Sequence, residues 1–309
     1  MGFLPARCIY TGVFPMPRLN KRASYFALLL PAFIIYMAII IFPIFMSLGL
    51  SFTEWRRFQM TGFNGLDNYI EIVSDPVFRR SLWNNIQIML ISVFGQIPLG
   101  ILLAYLLHRK WVKGTKFFEF MIFLPITISS VVIALLWNRV FSPVGIYTTF
   151  VRMVTGNPDY VVKIFESEQF AMIPILVVLL WQHTSLYMVI FLANLQRIPN
   201  SVFEAAVIDG AKESTIIFKI VLPALSAVIF TTSVLAISGS LKSFDLVYAM
   251  TGGGPVNYTY VMALYLYQHT FTFHNYGKGS AVSIIIVLLS VGLISLVRNI
   301  YGKAQKKYE

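Results

Sequence analysis

Six stretches of about 20 predominantly apolar residues punctuate this chain, each long enough to cross the hydrocarbon of a bilayer as a helix. They lie at about 26–50, 86–107, 117–138, 171–195, 222–241 and 280–297. Hydrocarbon offers no water to a backbone amide, so a chain of this kind folds as a bundle of membrane helices. Only 12% of the 309 residues are charged, against about a quarter in soluble domains, and 57% are hydrophobic. Those figures exclude a disordered chain and argue against a soluble globular enzyme. The 26 Phe, 16 Tyr and 5 Trp suit aromatic belts at two membrane interfaces. Prolines at 31, 43, 98, 125, 174 and 223 fall in or at the ends of the stretches. Such breaks are tolerated where neighbouring helices or cavity water satisfy the freed carbonyls, which predicts a packed bundle around a path. Residues 260–273 are apolar but too short to span, and read as an interfacial or re-entrant helix.

Charge sets the orientation. With six spans and a cytoplasmic N-terminus, the net charge of +11 divides into +10 on the cytoplasmic side and +1 outside. A seventh span would carry Lys303, Lys306 and Lys307 outside, against that rule. The basic excess is therefore a topology signal and needs no nucleic-acid partner. The predicted organisation is an all-α, polytopic membrane protein. Residues 1–24 form a cytoplasmic tail, 25–300 the transmembrane domain (core about 82–300) and 301–309 a second cytoplasmic tail. The single cysteine, Cys8, precludes an intrachain disulfide and a cysteine metal cluster. Arg7 beside it disfavours a lipoprotein site, and residues 1–24 lack the apolar core of a secretory signal. The four histidines, His108, His183, His269 and His274, are scattered, so no metal site is expected. The near-absence of acids and clustered histidines in the spans disfavours an intramembrane hydrolase.

The longest cytoplasmic connection, 196–223, carries the most information. Ser201 and Glu204 have the spacing of a capping box, followed by Ala205, Ala206, Val207 and Ile208, with Gly210 as a left-handed stop. A second short helix over 212–221 places Ile216, Ile217, Ile220 and Val221 on one face, and Pro223 opens the next span. A capped linker explains Glu204 and Gly210 alone. The whole pattern, Glu204-Ala205-Ala206, Gly210 after three residues, then Ile220-Val221-Leu222-Pro223 after nine, resembles the EAA loop of permease subunits of binding-protein-dependent ABC importers. Ile208-Asp209-Gly210-Ala211, Ala193–Pro199, Phe123-Leu124-Pro125, Trp137 and Phe141-Ser142-Pro143 resemble the carbohydrate-uptake branch, of maltose and multiple-sugar type. Phe244–Tyr248 and Thr251–Pro255 resemble the first of the two permeases in such systems, and Asn84-Asn85 departs mildly from the Asn-Thr common there.

The resemblance implies a type I ABC importer permease fold in a bacterial or archaeal cell membrane, both termini cytoplasmic. It implies three kinds of partner: a second, homologous permease forming a heterodimer, two cytosolic ATPases and an extracytoplasmic solute-binding protein. The chain contains no Gly-x-x-x-x-Gly-Lys-Ser/Thr loop, so it binds no cofactor itself and Mg-ATP belongs to the partner ATPases. Glu204, Ala205, Ala206, Asp209, Gly210, Ile220, Leu222 and Pro223 are the residues implied to engage the ATPase. Cargo is implied to be a sugar or oligosaccharide, the alternative being a polyol, a glycerol phosphate or an amino acid. Polar side chains in apolar spans mark a path: Trp181, Gln182, His183 and Tyr187 in the fourth stretch, Ser240 and Ser243 at the end of the fifth. For Gln182 and His183 the cavity is favoured; for the serines, helix packing remains an equal alternative. A passive channel fits the hydropathy but leaves the loop without a use.

Overall fold

A computed structural model describes residues 21–305 apart from 57, 112 and 162. Cys8, most of the N-terminal tail, and Lys306 and Lys307 lie outside the described residues. The chain divides into two units at residue 46. The first contains α1 (Lys21–Tyr36), a π-helical turn Met37–Ile41 and the start of α2 (Phe42–Leu50); Leu28–Leu50 is long and apolar enough to cross a membrane.

The second unit opens with a two-stranded antiparallel ribbon, β1 (Thr53–Arg56) against β2 (Gln59–Phe63), a small addition to an otherwise helical chain. Its residues are too few and too polar for a span, and Thr53, Trp55 and Phe63 suit a pleated strand better than a helix. Helix α3 (Asp67–Ser74) follows. Asp75 then caps α4 (Pro76–Ile91), its Oδ1 accepting the Val77 amide at 2.8 Å, with Pro76 at the first helical position. Through a π turn, Ser92–Gln96, α4 runs into α5 (Ile97–His108). The second span is thus 33 residues long, Pro76–His108, starting ten residues before the sequence-based boundary because the Asp-Pro cap extends it.

The third stretch is not one helix. It divides into α6 (Thr115–Thr127) and α7 (Ser130–Val140), bent by 99°. Pro125 weakens the last turn of α6, and Ile128 is extended at φ −89°, ψ 137°. After α8 (Ile146–Thr155) comes the straight span α9 (Met172–Leu195), then α10 (Asn200–Ile208). The second helix of the loop is also corrected. It is α11 (Glu213–Ile216), a π turn Ile217–Val221 and α12 (Leu222–Ala224). The fifth span starts at Ser226 and combines α13 (Ser226–Leu241) with α14 (Asp245–Thr251). Helix α15 (Met262–Tyr267) is short, as the reading of 260–273 required, and α16 (Tyr276–Gln305) is the last span. Among the described residues there are five spanning helices, or six if the bent pair α6–α7 counts as one.

Two apolar clusters, called outer and inner in the order given, hold the second unit together. One joins α4, α7, α9, α13, α14, α15 and α16 around Ile88, Ile175, Val247, Met262 and Val282. The other joins α5 and α9 to α10 and α11 around Ala104, Phe191, Leu195, Phe203 and Ile216. At Gly100 the helices α5 and α9 meet so closely that a Cβ would sit 2.7 Å from Tyr187 Cβ, the small-residue packing of membrane helices. Buried amides bind the elements across the unit. Asn84 Nδ2 donates to the Tyr258 and Tyr260 carbonyls at 2.9 and 2.7 Å. Asn85 Nδ2 donates to Ser240 O at 2.7 Å while its Oδ1 accepts the Met262 amide at 2.8 Å.

Candidate functional site

A cavity of about 210 Å³ lies where the two clusters meet. Four of the six sequence-predicted path residues line it: His183, Tyr187, Ser240 and Ser243. The helix α9 brings His183 and Tyr187 to one face because they are four residues apart. Ser240 Oγ donates to Ile237 O at 2.8 Å, so its hydroxyl oxygen keeps spare accepting capacity. The other two are corrected. Trp181 is 45% exposed and packs edge-on against Trp137, with centroids 5.7 Å apart, on a different face of α9. Gln182 is buried but not in the wall; its Nε2 donates at 3.1 Å to Ser130 Oγ, and Ser130 does line the cavity. A helix turns about 100° per residue, so the consecutive polar residues 181–183 cannot share a face.

Several wall residues escaped the sequence reading. Ser92 and Gln96 come from the π turn of Pro76–His108, and Gln96 Nε2 donates to Leu179 O at 3.0 Å. Lys242 and Asp245 stand at the α13–α14 junction. The rule used for the fourth span, polar groups inside an apolar run, marks Ser92 and Gln96 equally. Gln182 Oε1 and His183 Nδ1 are buried with no hydrogen-bond partner among the described residues. Buried polar atoms of this kind are rare and ask for a partner.

The loop 196–223 forms the second site. Helix α10 does not start with the predicted capping box. Pro199, at φ −57° and ψ 136°, takes the N-cap position, and no side chain caps the helix. The extended conformation of Pro199 starts the helix at Asn200, so Ser201 falls inside the first turn instead of before it. Glu204 is exposed and is thereby relieved of a capping duty. The other end matches. Asp209 is the C-cap and Gly210 has φ +76°. Gly210 N donates to Val207 O at 3.0 Å and Ala211 N to Ala206 O at 2.9 Å, the paired bonds of a Schellman stop. Phe203 and Ala206 insert into the inner cluster, while Glu204, Ala205, Val207, Ile208 and Asp209 face away from it. Ile208 is 85% exposed. Beyond the stop, Ile216 and Val221 are buried and Ile217 and Ile220 pack beside them, as the periodicity required. Leu222 is half-buried and Pro223 exposed in α12.

One polar cluster joins this loop to α5. Tyr105 Oη donates to Glu213 Oε2, and Arg109 Nη2 donates to Glu213 Oε1 at 2.5 Å. The Arg109 guanidinium also lies 5.9 Å over the Phe203 ring, and the His108 ring is 5.2 Å from it. Partial burial alone pushes the Glu213 carboxyl up. The hydrogen bonds from Tyr105 and Arg109, with the Arg109 charge, more than offset this and hold it below the usual carboxylate range. The hydrogen bond to Glu213 raises the Arg109 pKa in turn.

At the opposite end of Pro76–His108, an open hollow of about 920 Å³ is lined by Arg79, Arg80, Trp83, Gln87, Glu168 and Tyr258 among others. Arg80 is ion-paired to Glu168 and lies 5.2 Å over the Tyr258 ring.

Comparison with known proteins places this architecture. A family model described as "binding-protein-dependent transport system inner membrane component" matches residues 96–306. The chain is 32% identical over 247 residues, 79% of its length and 84% of the relative's, to a probable ABC transporter permease protein, YurN, of Bacillus subtilis. It is 31% identical over 301 residues, 94% of its length and 98% of the relative's, to the multiple sugar-binding transport system permease protein MsmF of Streptococcus mutans. Among solved structures it superposes with TM-score 0.79 and 21% identity on a chain of a bacterial alginate ABC transporter in complex with an alginate pentasaccharide-bound periplasmic protein. That match covers 93% of this chain and 96% of the other and establishes the shared fold.

Proposed function

This chain belongs to the family of binding-protein-dependent transport system inner membrane components, and from that membership we propose that it forms one half of a sugar-conducting path in an ATP-driven importer. As a member it is a multi-pass membrane permease component, and it is a transporter part rather than an enzyme. The proposal adds the cargo, the partners and the roles of the residues. Relatives named for multiple sugars, lactose and alpha-glucosides, each 31–33% identical, support a sugar or oligosaccharide as cargo. The cavity suits that chemistry. Hydroxyls, an imidazole and a carboxamide converge there, and the unpartnered Nδ1 of His183 has capacity to spare for a sugar hydroxyl. In this reading the second permease completes the path, an external binding protein delivers the cargo, and both termini of this chain are cytoplasmic. The type of permease is the first of the pair, and Mg-ATP is bound and hydrolysed by the partner subunits.

The observation that carries the ATPase assignment is the two-sidedness of α10. Phe203 and Ala206 anchor it, while Val207 and Ile208 stand exposed beside Glu204. Exposed apolar side chains rimmed by charge, on a helix fixed from beneath, make a docking surface. Ala205 lets a partner approach closely, and Gly210 sets the angle at which α10 leaves the loop. Asp209, Ile220, Leu222 and Pro223 extend the same segment around that turn. The test is copurification of the cognate ATPase with Glu204→Gln and Gly210→Asp at matched membrane levels. The expected result is loss of ATPase from both. Full retention in both, with normal ATP hydrolysis, would remove α10 as the docking element.

A further inference from the structure

Glu213 is the first residue of α11, beyond the Gly210 stop, and the docking face of α10 does not include it. Among the described residues its carboxylate is claimed from one direction only, by the last turn of α5 and the residue that follows. Tyr105, 2% exposed, supplies a hydroxyl and Arg109 a guanidinium. The same guanidinium covers Phe203 of α10. A single end of one helix therefore grips the loop on both sides of its turn. That helix is continuous with the π turn that carries Ser92 and Gln96 into the cavity wall. Apolar contacts between α5 and α10 would allow sliding, since they have no direction. Charge-assisted hydrogen bonds to one carboxylate fix register.

We propose that Tyr105, Arg109 and Glu213 form a strap that makes the loop 196–223 and the helix Pro76–His108 move as one body, so that a displacement of α10 reaches the cavity wall at Ser92 and Gln96. The strap rests on the reading of α10 as the ATPase-docking helix. Glu213 is a positioning residue, touching neither cargo nor nucleotide. Held below the usual carboxylate range, it is charged at neutral pH. The strap is present above that range and is lost as the pH falls through the depressed value.

The experiment uses the assembled transporter in lipid nanodiscs, in a Cys8→Ser background, with spin labels at Phe94, on the outward side of the cavity-lining turn, and Ser214 beside the strap; both positions are exposed. The inter-label distance distribution is compared between the nucleotide-free and the ATP–vanadate-trapped states. With the strap intact the distribution should be the same in both states. In Glu213→Gln it should shift or broaden on trapping, while the ATPase still copurifies. Tyr105→Phe keeps the ring and its packing and removes only the hydroxyl, so it should show a smaller change in the same direction even if Glu213→Gln fails to accumulate. A distance that changes on trapping in the unsubstituted strap, or that stays fixed in both variants, overturns the inference. Failure of the ATPase to copurify with the unsubstituted chain would instead overturn the docking reading beneath it.

Discussion

Gly239 lies on the cavity wall with nothing within 4 Å of the place its Cβ would occupy. It sits inside α13, where a glycine costs roughly 1 kcal/mol of helix stability relative to alanine. Leucine at this position should keep or raise stability while filling the path. We predict that Gly239→Leu accumulates normally and retains its ATPase but loses most uptake across a panel of radiolabelled disaccharides; uptake at the unsubstituted rate would place the path elsewhere. Gly210 behaves differently. Its Cβ would also meet open space, but φ +76° strains any other residue. Gly210→Ala should therefore cost roughly 1 kcal/mol through the backbone alone, seen as a lower unfolding midpoint in detergent and no change in the inner cluster. At this scale the sequence marked His183, Tyr187, Ser240 and Ser243, which the fold brings to one cavity wall, because polar groups in apolar runs are conspicuous. It misplaced Trp181 and Gln182, because composition does not say which face of α9 looks inward.

Prolines explain most of the departures between elements. Among the described residues, three of the four π turns end two residues before a proline: Met37–Ile41 before Pro43, Ser92–Gln96 before Pro98, Ile217–Val221 before Pro223. Proline donates no amide hydrogen bond and its ring presses on the carbonyl four residues back, and the wider turn accommodates both. The sequence located each break but could not choose between a kink, a π turn and the 99° fold at Ile128 and Ser129, which neighbouring helices decide. The Asp75-Pro76 cap is legible in the sequence but lies outside the apolar run, which begins later. Asn85 belongs to this scale too, since it ties α4 to the end of α13 and to the start of α15. Replacing it with alanine leaves the Met262 amide buried without its acceptor, at about 1–3 kcal/mol. Asn85→Ala should lower the unfolding midpoint in detergent well below that of the unsubstituted chain; equal midpoints would deny the bracket a stabilising role.

On the scale of the molecule, the cavity falls at the seam between the outer and inner clusters, so that α4–α5, α9 and α13 each contribute to both its wall and its support. The path we propose, placed at such a seam, would change shape when one cluster moves against the other. The chain by itself should bind the ATPase and hydrolyse nothing. Purified free of partners, it should show no ATP turnover above a buffer control; robust turnover would contradict the assignment. Reporter fusions at Ala304 and after Met1 should both read cytoplasmic, as the charge distribution demands, and an external C-terminus would overturn the topology.

The sequence by itself determined the class of solvent, the approximate position of the apolar helices and the resemblance to the permease family, because hydropathy, charge asymmetry and the spacing of Glu204, Gly210 and Pro223 are local properties of the chain. Tertiary structure alone decided which polar residues meet. Gln96 donates to the Leu179 carbonyl and shares the cavity wall with His183, and Glu213 reaches Tyr105 and Arg109 more than a hundred positions away in the chain. Those meetings follow from the close approach at Gly100, the fold between α6 and α7, and the π turn ahead of Pro98. Each of these is a choice among local conformations of nearly equal energy, and packing against a distant segment settles it.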